Sequence, residues 1–180
     1  MLSLLLILLL IYGFYIGARR GLAMEAFYAV GYVLFFALAL VTFKALGPKF
    51  EMLVPYPSAN LGSEFAFFST KVGMELDNAF YRAFAFIFVC FIGWIIVRFA
   101  GLYFKRLTYF PMYNDINILS GGIIAFVVTY VAIFMVLLMM AMVPVSGIQH
   151  ALEHSFIASA MIKSTPVLTD LLSHLWIGAI

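Results

Sequence analysis

The sequence predicts an all-α, polytopic membrane protein with four transmembrane helices and a C-terminal amphipathic helix at the membrane interface. Three observations predict it. Apolar residues make up 66% of the 180-residue chain, charged residues only 10%, and mean hydropathy is +1.14. Soluble domains carry roughly 25% charged residues, and a core of this length cannot hide such an apolar excess. Four runs are long enough to cross about 30 Å of hydrocarbon, which takes about 20 helical residues. The charges gather between those runs. The chain has room for one compact bundle, 1–180, and no separate soluble domain.

The first span covers about 2–18. Its charges follow the apolar run and no basic region precedes it, so it reads as a retained span and not a cleaved leader. Arg19 and Arg20 form a basic turn. The second span, about 22–43, is interrupted only by Glu25. Residues 44–78 follow. Gly47-Pro48 and Pro55-Tyr56-Pro57 open them as a loop, and the stretch from Ser63 to Leu76 suits a short interfacial helix that Ser63 caps. The third span, about 79–104, contains Arg98. A connection with Lys105, Arg106 and Pro111 leads to the fourth span, about 118–143. Each span must be helical, because lipid satisfies no backbone hydrogen bond.

After Pro144, Ile148, Leu152, Phe156 and Ile157 make an apolar stripe opposite Gln149, His150, Glu153 and His154. That pattern predicts a surface helix over about 146–165, broken at Pro166, with a second short helix over 167–175.

Arg19, Arg20, Lys105 and Arg106 flank one end of the bundle. By the excess of Lys and Arg in cytoplasmic loops, that end faces the cytoplasm and both termini lie outside.

Gly13 and Gly17 stand four apart on span one, and Gly121 and Ala125 do the same on span four. Small residues at this spacing let helix backbones approach closely in lipid. The face serves packing within the bundle, a dimer contact or a narrow passage. Gly21 precedes the second span and Gly31 lies within it, and Gly122 follows Gly121.

Glu25 and Arg98 are the main candidates for function, because ionisable groups inside a span are costly. At 1.5 Å per residue, Glu25 lies ~6 Å and Arg98 ~10 Å inside their turns. Similar depth allows them to pair. Alternatively, Glu25 pairs with Arg19 or Arg20. The plainer reading has Arg98 reaching to the headgroups and Glu25 supporting the positive start of its helix.

Other chemistry is weakly supported. Cys90, the single cysteine, reads as a small packing residue. His150 and His154 are spaced to share a metal, but the zinc-protease motif needs a Glu where Ala151 stands. A solvated helix face is the simpler account. Ser155, Ser159 and Ser164 have no evident base apart from those histidines. The sequence contains no phosphate loop, dinucleotide fingerprint or nucleic-acid stripe. No cofactor and no enzymatic activity are expected. The expected partners are the lipid bilayer and either a second copy or membrane export proteins, not nucleic acid.

The run Gly13, Gly17, Arg19, Arg20, Gly21 and Gly31 resembles the colicin V production protein family of bacterial inner-membrane proteins. Asn117, Gly121 and Gly122, with Ala125 where a second glycine is common, continue the resemblance, as do Ser155, Ser159 and Pro166. The chain departs from the family in lacking an Asp at the start of span one, where it has Met1-Leu2-Ser3. The middle loop also has no counterpart. The resemblance implies a four-span plasma-membrane protein that supports production or export of a peptide toxin (a bacteriocin), with wider roles in envelope homeostasis. The alternative is a small oligomeric channel or transporter subunit. A membrane enzyme using the C-terminal histidines is a third reading.

Overall fold

The computed structural model describes residues 1–56, 67, 76–109 and 114–178. The interfacial helix expected after Ser63 lies outside the described residues. Those described fold into seven α-helices and a short 3-10 helix. Helices α1 (Leu2–Arg20), α2 (Leu22–Glu51), α3 (Leu76–Tyr103) and α4 (Asn114–Ala141) are the long apolar ones, each long enough to cross a membrane. The 3-10 helix Lys105–Tyr109 follows α3. Helices α5 (Ser146–Glu153), α6 (Phe156–Ser164) and α7 (Pro166–Trp176) are short. Leu4, Ile11, Val33, Val41, Phe99 and Leu119 point outward from the long helices. Such a belt suits contact with lipid and would be a liability in water.

Close packing sets the arrangement, because lipid tails remove most of the hydrophobic drive between helices. Helices α1 and α2 are consecutive but meet mainly at their turn. Helix α1 instead runs antiparallel along α4, and α2 runs antiparallel along α3. Contact between α2 and α4 joins the two pairs. Along α2 and α3, Gly31 faces Val97, Gly93 faces Phe35, and Phe36 meets Phe86 edge-on at 5.0 Å.

Two expectations need correction. The second helix does not stop near residue 43. It continues through Gly47 and Pro48 to Glu51. The physical reason is packing against α3: Phe50 lies 5.1 Å from Phe84 and 5.2 Å from Phe88 between ring centroids. Pro48, three residues before the helix ends, lacks the amide that would bond the Lys44 carbonyl, and the helix continues past it despite that loss.

Nor is 146–165 one helix. It breaks at His154-Ser155, ahead of the anticipated break at Pro166. The hydroxyl of Ser155 accepts from the Ala158 amide at 3.2 Å and so starts a new helix. Ser155 also shares a hydrogen bond with Ser3, Oγ to Oγ 2.9 Å, which ties α6 to the start of α1.

The apolar sides of the three short helices pack on the end of the bundle away from the Arg19-Arg20 turn. Leu152, Met161, Leu172 and Trp176 are buried in the same core as Phe86 and Phe134. Trp176 meets Phe86 at 5.8 Å, and its carbonyl accepts from Arg82 at 3.4 Å.

The last carbonyls of α4 have no partner within the helix. The Gln149 side chain donates to the carbonyl of Ala141 (3.1 Å), the last residue of α4, and to that of Val143 just beyond it (2.7 Å). The hydroxyl of Tyr56 donates to Met142 at 2.8 Å. That end of the bundle is therefore covered and hydrogen-bonded.

Candidate functional site

The opposite end carries the charged residues singled out from the sequence. Its centre is Gly21, between α1 and α2, with φ 80° and ψ 169°. That left-handed φ favours glycine. Space demands it as well: a Cβ there would stand 2.6 Å from Asn117 Oδ1. The same oxygen accepts from the Leu22 amide at 2.7 Å. A glycine cannot cap the helix it precedes, so Asn117, on α4, supplies the missing acceptor from 95 residues away.

Glu25, in the first turn of α2, is buried. It pairs with Arg20, Nη1 to Oε1 3.1 Å. Of the two pairings the sequence allows, this is the local one. Glu25 and Arg98 do not form an ion pair.

The Arg98 guanidinium instead lies over the Tyr28 ring, 4.7 Å from its centroid, and 5.7 Å from that of Trp94. Arg20 also approaches Tyr28, at 5.3 Å. One aromatic ring thus receives two cations. Tyr28 stacks on Tyr32 at 6.1 Å, and the absence of a side chain at Gly101 makes room for the Tyr28 hydroxyl. Two buried atoms of this cluster, Arg98 Nε and Tyr32 Oη, have no hydrogen-bond partner among the described residues.

Arg19 points elsewhere. It is exposed, makes no ion pair among the described residues, and meets Tyr15 by a 3.4 Å hydrogen bond and at 5.8 Å from the ring centroid. A cleft of about 510 Å³ opens beside it, between the end of α1, the 3-10 helix and the start of α4. Arg19, Arg20, Thr108, Tyr109 and Asn117 contribute to its wall. Lys105 and Arg106, on the same 3-10 helix, are exposed. The four topology residues therefore share one end.

The small-residue positions meet one another inside the chain. A Cβ on Gly17 would stand 2.5 Å from the Gly121 carbonyl oxygen and would collide with Ala125. A Cβ on Gly13 would stand 2.9 Å from Thr129 Cβ, and one on Gly122 2.6 Å from the Phe14 ring. The face that the sequence offers to a dimer or a passage is occupied by α4.

His150 and His154 lie at the covered end. Their rings stack at 3.9 Å, with His154 Nδ1 3.0 Å from the His150 carbonyl, and both are exposed. Among the described residues, no three His, Cys, Asp or Glu side chains are grouped to hold a metal.

Sequence reasoning missed the roles of three contributors here. Asn117 was legible as a polar residue before a glycine-rich span, but its capping role depends on which helix α4 approaches. Tyr28 reads as one more aromatic in an apolar run. Gly101 carries no signal beyond its type.

Fold and charge distribution together define a small multi-span membrane protein with a tightly packed interior and one basic end. The chain belongs to the colicin V production protein family, whose model matches residues 2–166. It is similar to the uncharacterized transmembrane protein YshB of Bacillus subtilis (strain 168). The two are 28% identical over 176 residues, which cover 98% of this chain and 97% of that protein. No solved structure matches the chain.

Proposed function

We propose that this protein supports the production or export of a peptide toxin and the upkeep of the cell envelope, and that it does so without catalysing a reaction. The observation that carries the reading is the family match over residues 2–166. The packing agrees with it. Glycine faces are closed against partner helices, and the charged groups of the basic end stabilise helix ends and aromatic contacts.

The protein resides in the bacterial plasma membrane, with the Arg19-Arg20 end in the cytoplasm and both termini outside, as the placement of short-loop Lys and Arg supports. Its protein partners are membrane export or envelope components.

The test is a deletion strain carrying a bacteriocin operon, complemented with the full chain. Loss of toxin from the medium, restored by the wild-type chain, is the expected result. Unchanged toxin levels and unchanged detergent sensitivity overturn the proposal. In vivo crosslinking from the exposed basic end then identifies the partners. A C-terminal reporter active only outside the cytoplasm tests the orientation; a silent reporter reverses it.

A further inference from the structure

The cleft beside Arg19 has a chemistry that neither packing nor the family assignment uses. Between residues 19–25 and 98–115 the chain places five cations and two acids. One acid, Glu25, is buried and already paired with Arg20. The other, Asp115, makes no ion pair among the described residues, so Arg19 brings a cation without an ion-pair partner to the cleft wall, which Thr108, Tyr109 and Asn117 also line.

The setting selects among anions. The cleft sits at the end of the apolar spans. Ile118 forms part of its wall, as do the exposed rings of Tyr15 and Tyr109. A free phosphate would use the cation and the hydroxyls and leave that apolar flank idle. A glycerophospholipid uses both, with its phosphate at Arg19 and its acyl chains along α1 and α4. The volume of about 510 Å³ accommodates a headgroup and its glycerol.

We infer that the cleft between the end of α1, the 3-10 helix and the start of α4 binds the headgroup of an anionic phospholipid, with Arg19 as the cation that recognises its phosphate. The inference requires only that the chain spans a membrane; it does not depend on the orientation or on the toxin-related role proposed above.

The full-length protein, purified in a neutral detergent, tests it. Phosphatidylglycerol and phosphatidylcholine are titrated separately, and bound lipid is counted by native mass spectrometry. The wild-type chain is expected to prefer phosphatidylglycerol by about fivefold, the factor that corresponds to ~1 kcal/mol for one cation near a membrane surface. R19Q should abolish the preference and R19K should keep most of it. K49Q, which alters an exposed cation at the far end of α2, should leave it unchanged.

Equal binding of the two lipids by the wild-type chain overturns the inference. So does an unaltered preference in R19Q. Inorganic phosphate is the third arm: complete displacement of phosphatidylglycerol at millimolar phosphate means that the cleft takes the free ion, and the lipid assignment fails. Arg19 is exposed and outside the ion pair, so its variants retain the fold; an unchanged melting temperature confirms this.

Discussion

Arg20 and Glu25 close an ion pair across Gly21, Nη1 to Oε1 3.1 Å, with Glu25 buried and Arg20 only partly exposed. A buried carboxylate that loses its cation is left with an unmet desolvation penalty. Two adjacent arginines therefore have unequal structural roles.

Arg20→Ala should destabilise the purified protein by roughly 1–3 kcal/mol, the usual penalty for leaving a buried polar group without its partner. Arg19→Ala should stay within about 0.5 kcal/mol of wild type, as for surface substitutions away from special features. Thermal melts of both variants in one detergent read the difference. Equal melting temperatures would show that Glu25 does not depend on Arg20.

Arg98 stabilises through the Tyr28 ring and not through a carboxylate. A double-mutant cycle of Tyr28→Leu and Arg98→Gln should give a coupling of about 0.5–2 kcal/mol, the range for a cation over an aromatic face. The parallel cycle of Glu25→Gln and Arg98→Gln should give a smaller value. A larger Glu25–Arg98 coupling would reverse this assignment.

The α1–α4 seam depends on the missing side chain at Gly17. Gly17→Ala should lower stability by about 1–3 kcal/mol, as overpacking does, because the obstacle is the backbone at Gly121 as well as Ala125. Gly147 in α5 is the control, since a Cβ there meets nothing within 4 Å. Gly147→Ala should be neutral or stabilising by up to about 1 kcal/mol through helix propensity. Similar losses in both variants would show that the seam is not tight.

Tyr56 predicts an alkaline limit. Burial first, then the Asp77 carboxylate and Tyr81, push its hydroxyl from the ordinary 10 up to about 12. The folded protein thus holds this proton where the unfolded chain has released it. Stability from Tyr56 is complete below pH 10 and declines as pH rises from 10 towards 12. Melts across that range should show a decline that is weaker in Tyr56→Phe. The difference in tyrosinate absorbance between wild type and Tyr56→Phe isolates this one of the ten tyrosines, and titration of Tyr56 at its ordinary value would refute the argument.

The number of long helices, their approximate positions and the basic turn were legible because hydropathy and charge act locally. Partner choice was not. Gly13 and Gly17 advertise a close-packing face, but a small-residue stripe carries no label for the helix that will meet it. Glu25 and Arg98 match in depth, and depth says nothing about rotation around the helix axis; five residues of chain across Gly21 placed Arg20 closer. The break at Ser155 was hidden because a serine within an amphipathic stretch reads equally as a solvated position or a cap. Gln149 and Tyr56 were unreadable as partners of the carbonyls at and just past the end of α4, since Gln149 sits on a short helix that must first dock and Tyr56 is 86 residues away from Met142.

The pairing of α1 with α4 has a consequence for biogenesis. Gly17 and Gly121 are 104 residues apart. At about 5–20 residues per second of synthesis, the first span waits roughly 5–20 s for its partner to emerge. During that interval its notched face is open to lipid, chaperones and the insertion machinery. Assembly is therefore completed by the last long helix, and a nascent chain stalled before residue 114 leaves the α1 seam without the helix that closes it.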